Sequence, residues 1–223
     1  MALIELVPLI LGAMIAPLWI MIVLLLLASP GGLAKAGGFV LGMTLTRLLQ
    51  GVVFGAILNG SASATSNAKH PSPVVSTLLL IVGLLLLLTA VRTWRKEEDP
   101  DDPPPKWMQS ISKITPLKAF GLGALGVAVA MKLWVFTLSA LGVITAAQLG
   151  VKNTILAFLG YIVLAQSLLI LAILVCVVAP RASKSALQRA IAWLTRYNQQ
   201  ITIAAALIFG LYFGWKGISG LLA

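Results

Sequence analysis

The stretch "GVAVAMKLWVFTLSALG", residues 126–142, is apolar except for Lys132, Thr137 and Ser139. It lies inside a longer run, about 119 to 147, which as a helix is long enough to cross the roughly 30 Å hydrocarbon core of a bilayer. A charged side chain at mid-bilayer costs about 2.5 to 3.5 kcal/mol on insertion scales, so Lys132 is expected to face a bundle interior or a watery cavity. Lys132 stands about 13 residues past the start of its span, too deep to reach the interface easily.

The remainder of the chain has the same character. Of 223 residues, 60% are hydrophobic and 10% charged, far from the balance of a water-soluble domain. Five further apolar spans occupy about 3–28, 36–58, 74–93, 152–179 and 201–222. The expectation is an all-α membrane protein of six transmembrane helices. The first span lacks a basic flank and runs about 26 residues, too long for the apolar region of a signal peptide, so it is expected to stay in the mature protein.

Basic residues near span ends set orientation, because they are retained on the cytoplasmic side. The loops after helices 1, 3 and 5 hold Lys35, Arg92, Arg95, Lys96, Lys106, Lys113, Lys118, Arg181, Lys184, Arg189 and Arg196, against Lys69, Lys152 and Lys216 on the other side. Both termini are therefore expected outside the cytoplasm. The net charge of +10 is this topological signal plus attraction to anionic membrane lipids, and no nucleic acid partner is expected. Cys176 is the single cysteine, which excludes an internal disulfide or dithiol relay.

The longest polar break, residues 92–118, divides the chain into three helices plus three. Glu97, Glu98, Asp99, Asp101 and Asp102 followed by Pro103, Pro104 and Pro105 read as a solvated cytoplasmic linker. Within the linker segment, 94–117, Trp107, Met108, Ile111 and Ile114 are spaced for a short interfacial helix. A similar piece carrying Leu187, Ile191 and Leu194 on one face, with Lys184, Arg189 and Arg196 opposite, is expected to precede helix 6 as a membrane anchor.

The halves, 1–93 and 118–223, align weakly: "PLWIMIVLLLL" at 17–27 matches "KLWVFTLSALG" at 132–142 through Leu18 with Leu133 and Trp19 with Trp134. Three helices per half force the halves to enter the membrane from opposite sides, so such a repeat is inverted, as in many secondary transporters with a midplane site beside broken helices. Pro17 is a candidate break and aligns with Lys132.

Arg47 lies about 11 residues into helix 2, also near mid-bilayer. Thr44, Arg47 and Gly51 share a helical face, with Gln50 a turn away, and Ser139 lines up loosely with Lys132. Helix 5 contributes Tyr161, Gln166 and Ser167, and the whole would make one polar strip inside the bundle. Apart from Glu5 no span contains an acid, which argues against a carboxylate proton relay. His70 is the sole histidine and lies in an outer loop, so no metal site can be built on His and Cys, and no cofactor is expected. Two readings of Lys132 and Arg47 stand: they receive an anionic group of a substrate, or they bind freed helix carbonyls and structural water. Glycines four apart, at Gly38 and Gly42, Gly51 and Gly55, and Gly210 and Gly214, would allow close helix approach within the bundle or in a homodimer.

The order "RTW…PPPKWM…AFGLGALGVAVAMKLWVFTLSALG", then "AFLGYIVLAQSLLILAILV" and "NQQITIAAALIFGLYFGWKGISGLL", resembles the GAP family, the sulfolipid and peptidoglycolipid addressing proteins of the LysE-type exporter superfamily, with its cyanobacterial members nearest. Where such proteins tend to carry Asn-Pro-Lys or Gly-Pro-Lys, this chain has Ala130, Met131 and Lys132; the lysine matches and the proline does not. The resemblance implies a LysE-like pair of inverted three-helix repeats in a bacterial plasma (inner) membrane, with Lys132 a motif position and Pro17 its counterpart in helix 1.

The expected function is secondary export of a small or amphipathic compound, lipid-like anions included, across the cytoplasmic membrane. Lys132, Arg47, Pro17, Thr44, Gln50, Trp134, Ser139 and Gln166 form the candidate substrate or ion set. The alternatives are a non-transporting accessory protein of envelope-lipid export, or a lipid scramblase or channel. No phosphate loop is present, and no span hydroxyl has a His or acidic partner to activate it, so enzymatic activity is not expected.

Overall fold

The structure, a computed structural model, describes residues 2–62, 73–95 and 106–222. The acidic and proline run at 97–105, Lys69, Lys96 and His70 lie outside the described residues. The described residues form helices joined by short turns, with no strand among them: after a 3-10 turn Ala2–Glu5 come α1 (Leu6–Met14), α2 (Pro17–Ala28), α3 (Gly32–Ala62), α4 (Pro73–Trp94), α5 (Lys106–Ile111), α6 (Pro116–Val129), α7 (Met131–Ala146), α8 (Val151–Ala165), α9 (Ser167–Val178) and α10 (Pro180–Leu222).

Three helices, α3, α4 and α10, are each long and apolar enough to cross a membrane, and three bent pairs would each supply a further span: α1 with α2 at 51°, α6 with α7 at 70°, and α8 with α9 at 63°. Six spans follow if each pair counts once. The first bend has a local cause. Ala16 precedes Pro17, and the proline ring excludes the helical conformation there; Ala16 adopts φ −126° and ψ 90°. The other two bends carry no proline. At Ala130 (φ −74°, ψ 88°) the chain turns away, and the carbonyls of Val127 and Ala128 lose the amides that would follow them in a straight helix. The Trp134 indole replaces them, donating to Val127 O at 3.1 Å and Ala128 O at 2.8 Å. At the third bend Gln166 holds φ −106° and ψ 6°, and Ser167 Oγ lies 3.0 Å from Met14 Sδ, which brings the first and third bends together.

From Val135 to Ile144 nearly every residue of α7 is buried, so this helix is the central post of the bundle. It packs against α1, α3, α4, α6 and α8. Two long seams brace it. In one, α3 lies on α6, where a Cβ at Gly42 would strike the Phe120 carbonyl and one at Gly123 the Phe39 carbonyl. In the other, α4 lies on α10, where Gly83 faces the Gly214 backbone and Gly217 faces Leu80. Outward-facing Leu84, Leu88, Ile208 and Leu211 are exposed, as a surface turned to hydrocarbon requires.

One boundary differs from the sequence expectation. The amphipathic piece with Leu187, Ile191 and Leu194 is not a separate anchor helix, because α10 runs unbroken for 43 residues. The segment 181–209 contains neither glycine nor proline, so a change in polarity alone gives the helix no reason to stop. At 1.5 Å per residue α10 is roughly 65 Å long, about twice the hydrocarbon thickness. Leu187 and Leu194 in its first half pack with Met21, Leu24 and Cys176. The short helix expected near Trp107 is present as α5, with Ile111 buried and Met108 packed against the same group as Leu187.

Candidate functional site

Arg47 is the midpoint of α3: fifteen residues separate it from Gly32 (47 − 32) and fifteen from Ala62 (62 − 47). About 22 Å of helix therefore extends in each direction, too far for its side chain to reach water along the helix. It is 2% exposed, and its Nε and Nη1 have no hydrogen-bond partner. Glu5 is the one carboxylate among the described residues, and it is paired with Lys216 at 3.0 Å. Arg47 thus has no anionic partner among them. Burial of an unpaired guanidinium is costly, and such a group calls for an explanation beyond packing.

The neighbours of Arg47 are polar and equally enclosed. The Tyr161 side chain of α8 lies close enough for the two to interact electrostatically, and its hydroxyl stands beside that of Thr137. Thr137 spends its own proton on the Leu133 carbonyl at 3.0 Å. One turn along α3, Gln50 is buried with both amide atoms free. One turn back, Thr44 Oγ1 donates to Val40 O at 2.8 Å and lies 3.3 Å from Oε1 of Gln166, whose Nε2 is free. The expected set of Thr44, Arg47, Gln50 and Gln166 therefore sits around one buried region of α3, α8 and the third bend, and Tyr161 joins it.

The other candidates fall elsewhere. Trp134 has its N–H committed to the carbonyls of the second bend and its ring 5.5 Å from that of Phe54, so its hydrogen bonding is structural. Ser139 is fully buried with a free hydroxyl, but two residues from Thr137 it points to the opposite side of α7. Pro17 opens α2 at the first bend, beside a small cavity of about 30 Å3 that also touches Thr89 and Thr202. Lys132 is the second residue of α7, immediately past the second bend; its backbone is described. Pro17 and Lys132, aligned in sequence, occupy the first and second positions of the helices that follow their bends, an agreement within one residue.

Sequence reasoning missed two features. Lys35, counted only as a topological charge, is buried and donates to Ser29 Oγ at 3.1 Å and to the Ser112 carbonyl at 2.9 Å, tying the α2–α3 turn to the α5–α6 turn. The signal, Ser29 six residues before it, is too generic to read. The second is an apolar cleft of about 650 Å3 between α3 and the α7–α8 turn, bounded toward Arg47 by Leu48, Gly51 and Phe158. Among the described residues no group of three or more His, Cys, Asp or Glu side chains stands together.

Over residues 6–219 the chain matches the family described as Sap, sulfolipid-1-addressing protein. The chain belongs to this family. The match spans every bend and both seams, so the buried Arg47 region lies inside the matched domain. No curated protein and no solved structure matches the chain.

Proposed function

We propose that this Sap-family chain is a secondary exporter that moves an anionic amphipathic compound outward across a bacterial inner membrane, with Arg47 receiving the anionic group. The observation that carries the reading is the buried guanidinium at mid-helix with free donors and, among the described residues, no carboxylate to pair with. An anionic oxygen supplied by cargo would complete those donors with charge-assisted hydrogen bonds. Gln50, Tyr161 and Gln166 would add neutral contacts, and Lys132 would place a second cation at the second bend.

Two inverted three-helix repeats of the LysE type, 1–93 and 118–223, are part of the same reading. Support comes from the matched bends at Pro17 and Lys132, and from an exchange of partners: α4 packs on α7 as α10 packs on α2, while α4 and α10 pack on each other. The basic loops support external termini. The chain is read as a non-enzyme whose partners are membrane lipids and the cargo; of the glycines expected to serve a homodimer, Gly38, Gly42, Gly51 and Gly210 face other helices of the same chain.

The test compares metabolites and lipids of cytosol, envelope and medium in a deletion strain carrying wild type, Arg47→Gln or Lys132→Ala at equal protein level. Export predicts a compound that accumulates inside the deletion and Arg47→Gln strains and falls outside. A deletion that alters no compound would replace this reading with the accessory one, and transport indifferent to imposed ion gradients in proteoliposomes would favour a scramblase or channel.

A further inference from the structure

The cleft beside α3 has an inner and an outer end. Because α3 and α8 approach it from opposite directions, Leu48, Gly51 and Phe158 lie at its inner end, whereas Thr145, Gln148 and Thr154 give its outer end a polar rim. Its volume of about 650 Å3 falls within the ordinary range of small-molecule sites. Two glycines shape the α3 wall. A Cβ at Gly51 would overlap the Phe158 ring, so glycine there is what allows the ring to seat against α3. A Cβ at Gly55 would meet nothing within 4 Å, so the missing side chain is simply open groove.

Phe158 is a boundary between two environments. Its ring stacks on that of Tyr161, with centroids 6.1 Å apart and planes at 19°. Tyr161 is 1% exposed and stands against Arg47. Outward from Phe158 the walls are Val52, Gly55 and Ile155; inward lie the free donors of Arg47. An apolar groove that ends one ring away from an unpaired buried cation is complementary to a molecule with an apolar tail and an anionic head, and repels the same tail carrying a cation.

We propose that this cleft holds one alkyl or acyl chain of an anionic amphiphile, with Phe158 as the partition between that chain and the Arg47 region. The proposal rests on the exporter reading and names where the apolar part of the cargo lies. Phe158 sets how far the chain extends, and the Gly51 contact fixes the ring.

The test uses the full chain in nanodiscs of zwitterionic phosphatidylcholine, photolabelled with hexadecanoic acid bearing a mid-chain diazirine and mapped by peptide mass spectrometry. Labelling is expected on α3 near Val52 and on α8 near Ile155 and Leu159. Gly55→Trp, which fills open space, should reduce it about tenfold without lowering the melting temperature. Hexadecylamine with the same diazirine should label about tenfold less, as one charge-assisted contact implies, and Arg47→Gln should abolish that preference. Phe158→Ala should extend labelling to Tyr161. Label spread over the exposed faces of α4 and α10, insensitivity to Gly55→Trp, or equal labelling by acid and amine would each overturn the proposal. Labelling needs no transport, which separates the two readings: a Gly55-sensitive, acid-selective site in a protein whose deletion changes no compound keeps the cleft and removes the exporter. Export without such a site does the reverse.

Discussion

The α4–α10 seam and the α3–α7–α8 region face one constraint, that backbone and polar groups find partners where no water is available, and they meet it by opposite means. In the seam both helices are unbroken, so each backbone satisfies itself. Closeness comes from Gly83 and Gly217, where backbone meets backbone, and from Gly210, which seats the Leu87 side chain. Around α7 the spans bend at Ala130 and Gln166, an indole stands in for lost amides, and Arg47, Gln50 and Gln166 keep free polar atoms. Among the described residues, unsatisfied buried polarity is thus concentrated around Arg47, with the Ser139 hydroxyl the exception on the other side of α7. Such a distribution is costly to maintain, which is the physical reason to look for ligand chemistry at α3 and α8 and not at α4 and α10.

The sharpest way to break this contrast is Gly83→Leu. Its side chain would enter the Gly214 backbone, and overpacking of this kind costs about 1 to 3 kcal/mol or more. The detergent melting temperature should fall steeply, while Gly55→Leu stays near wild type; equal behaviour of the two would dissolve the distinction between seam and cleft. Next comes Arg47→Met. Replacing a buried unpaired cation with an apolar chain of similar length should leave stability unchanged or raised by about 1 to 4 kcal/mol, while export or binding of an anionic cargo falls about tenfold or more. Unfolding of this variant would move Arg47 into the scaffold.

A smaller effect is expected of Trp134→Phe. The ring contact with Phe54 can persist, but the carbonyls of Val127 and Ala128 lose their donor, at about 1 to 3 kcal/mol. Thermal unfolding checks this, and an unchanged midpoint would mean that the second bend satisfies itself without the indole. The smallest is Glu5→Gln, which breaks the partly exposed pair with Lys216. Exposed pairs contribute about 0 to 1 kcal/mol and are screened by salt, so the difference from wild type should be slight at low ionic strength and vanish at high.

Much of this was legible residue by residue. Long apolar runs located the three spanning helices and the three bent pairs, Pro17 marked the first bend, and the spacing of Thr44, Arg47 and Gln50 placed them along one part of α3. The bend at Ala130 was indicated only by the alignment of Lys132 with Pro17, and that at Gln166 was not legible, because neither position carries a breaker and each is stabilised by groups outside its own turn. The continuity of α10 was misread because polarity changes near 200 while helix propensity does not. Phe158 gave no signal, since one phenylalanine among leucines is an ordinary core residue until its neighbours are known.

The sequence by itself determined that this chain is a helical membrane protein and that Arg47 lies deep within a long apolar run, because transfer from water to hydrocarbon is summed locally along each run of residues. Which of its polar groups are paired, and which are left beside an apolar cleft, was decided only by the tertiary structure. Hydrogen bonds such as that between Thr44 and Gln166 join positions 122 residues apart, and no local property of either residue specifies that they meet.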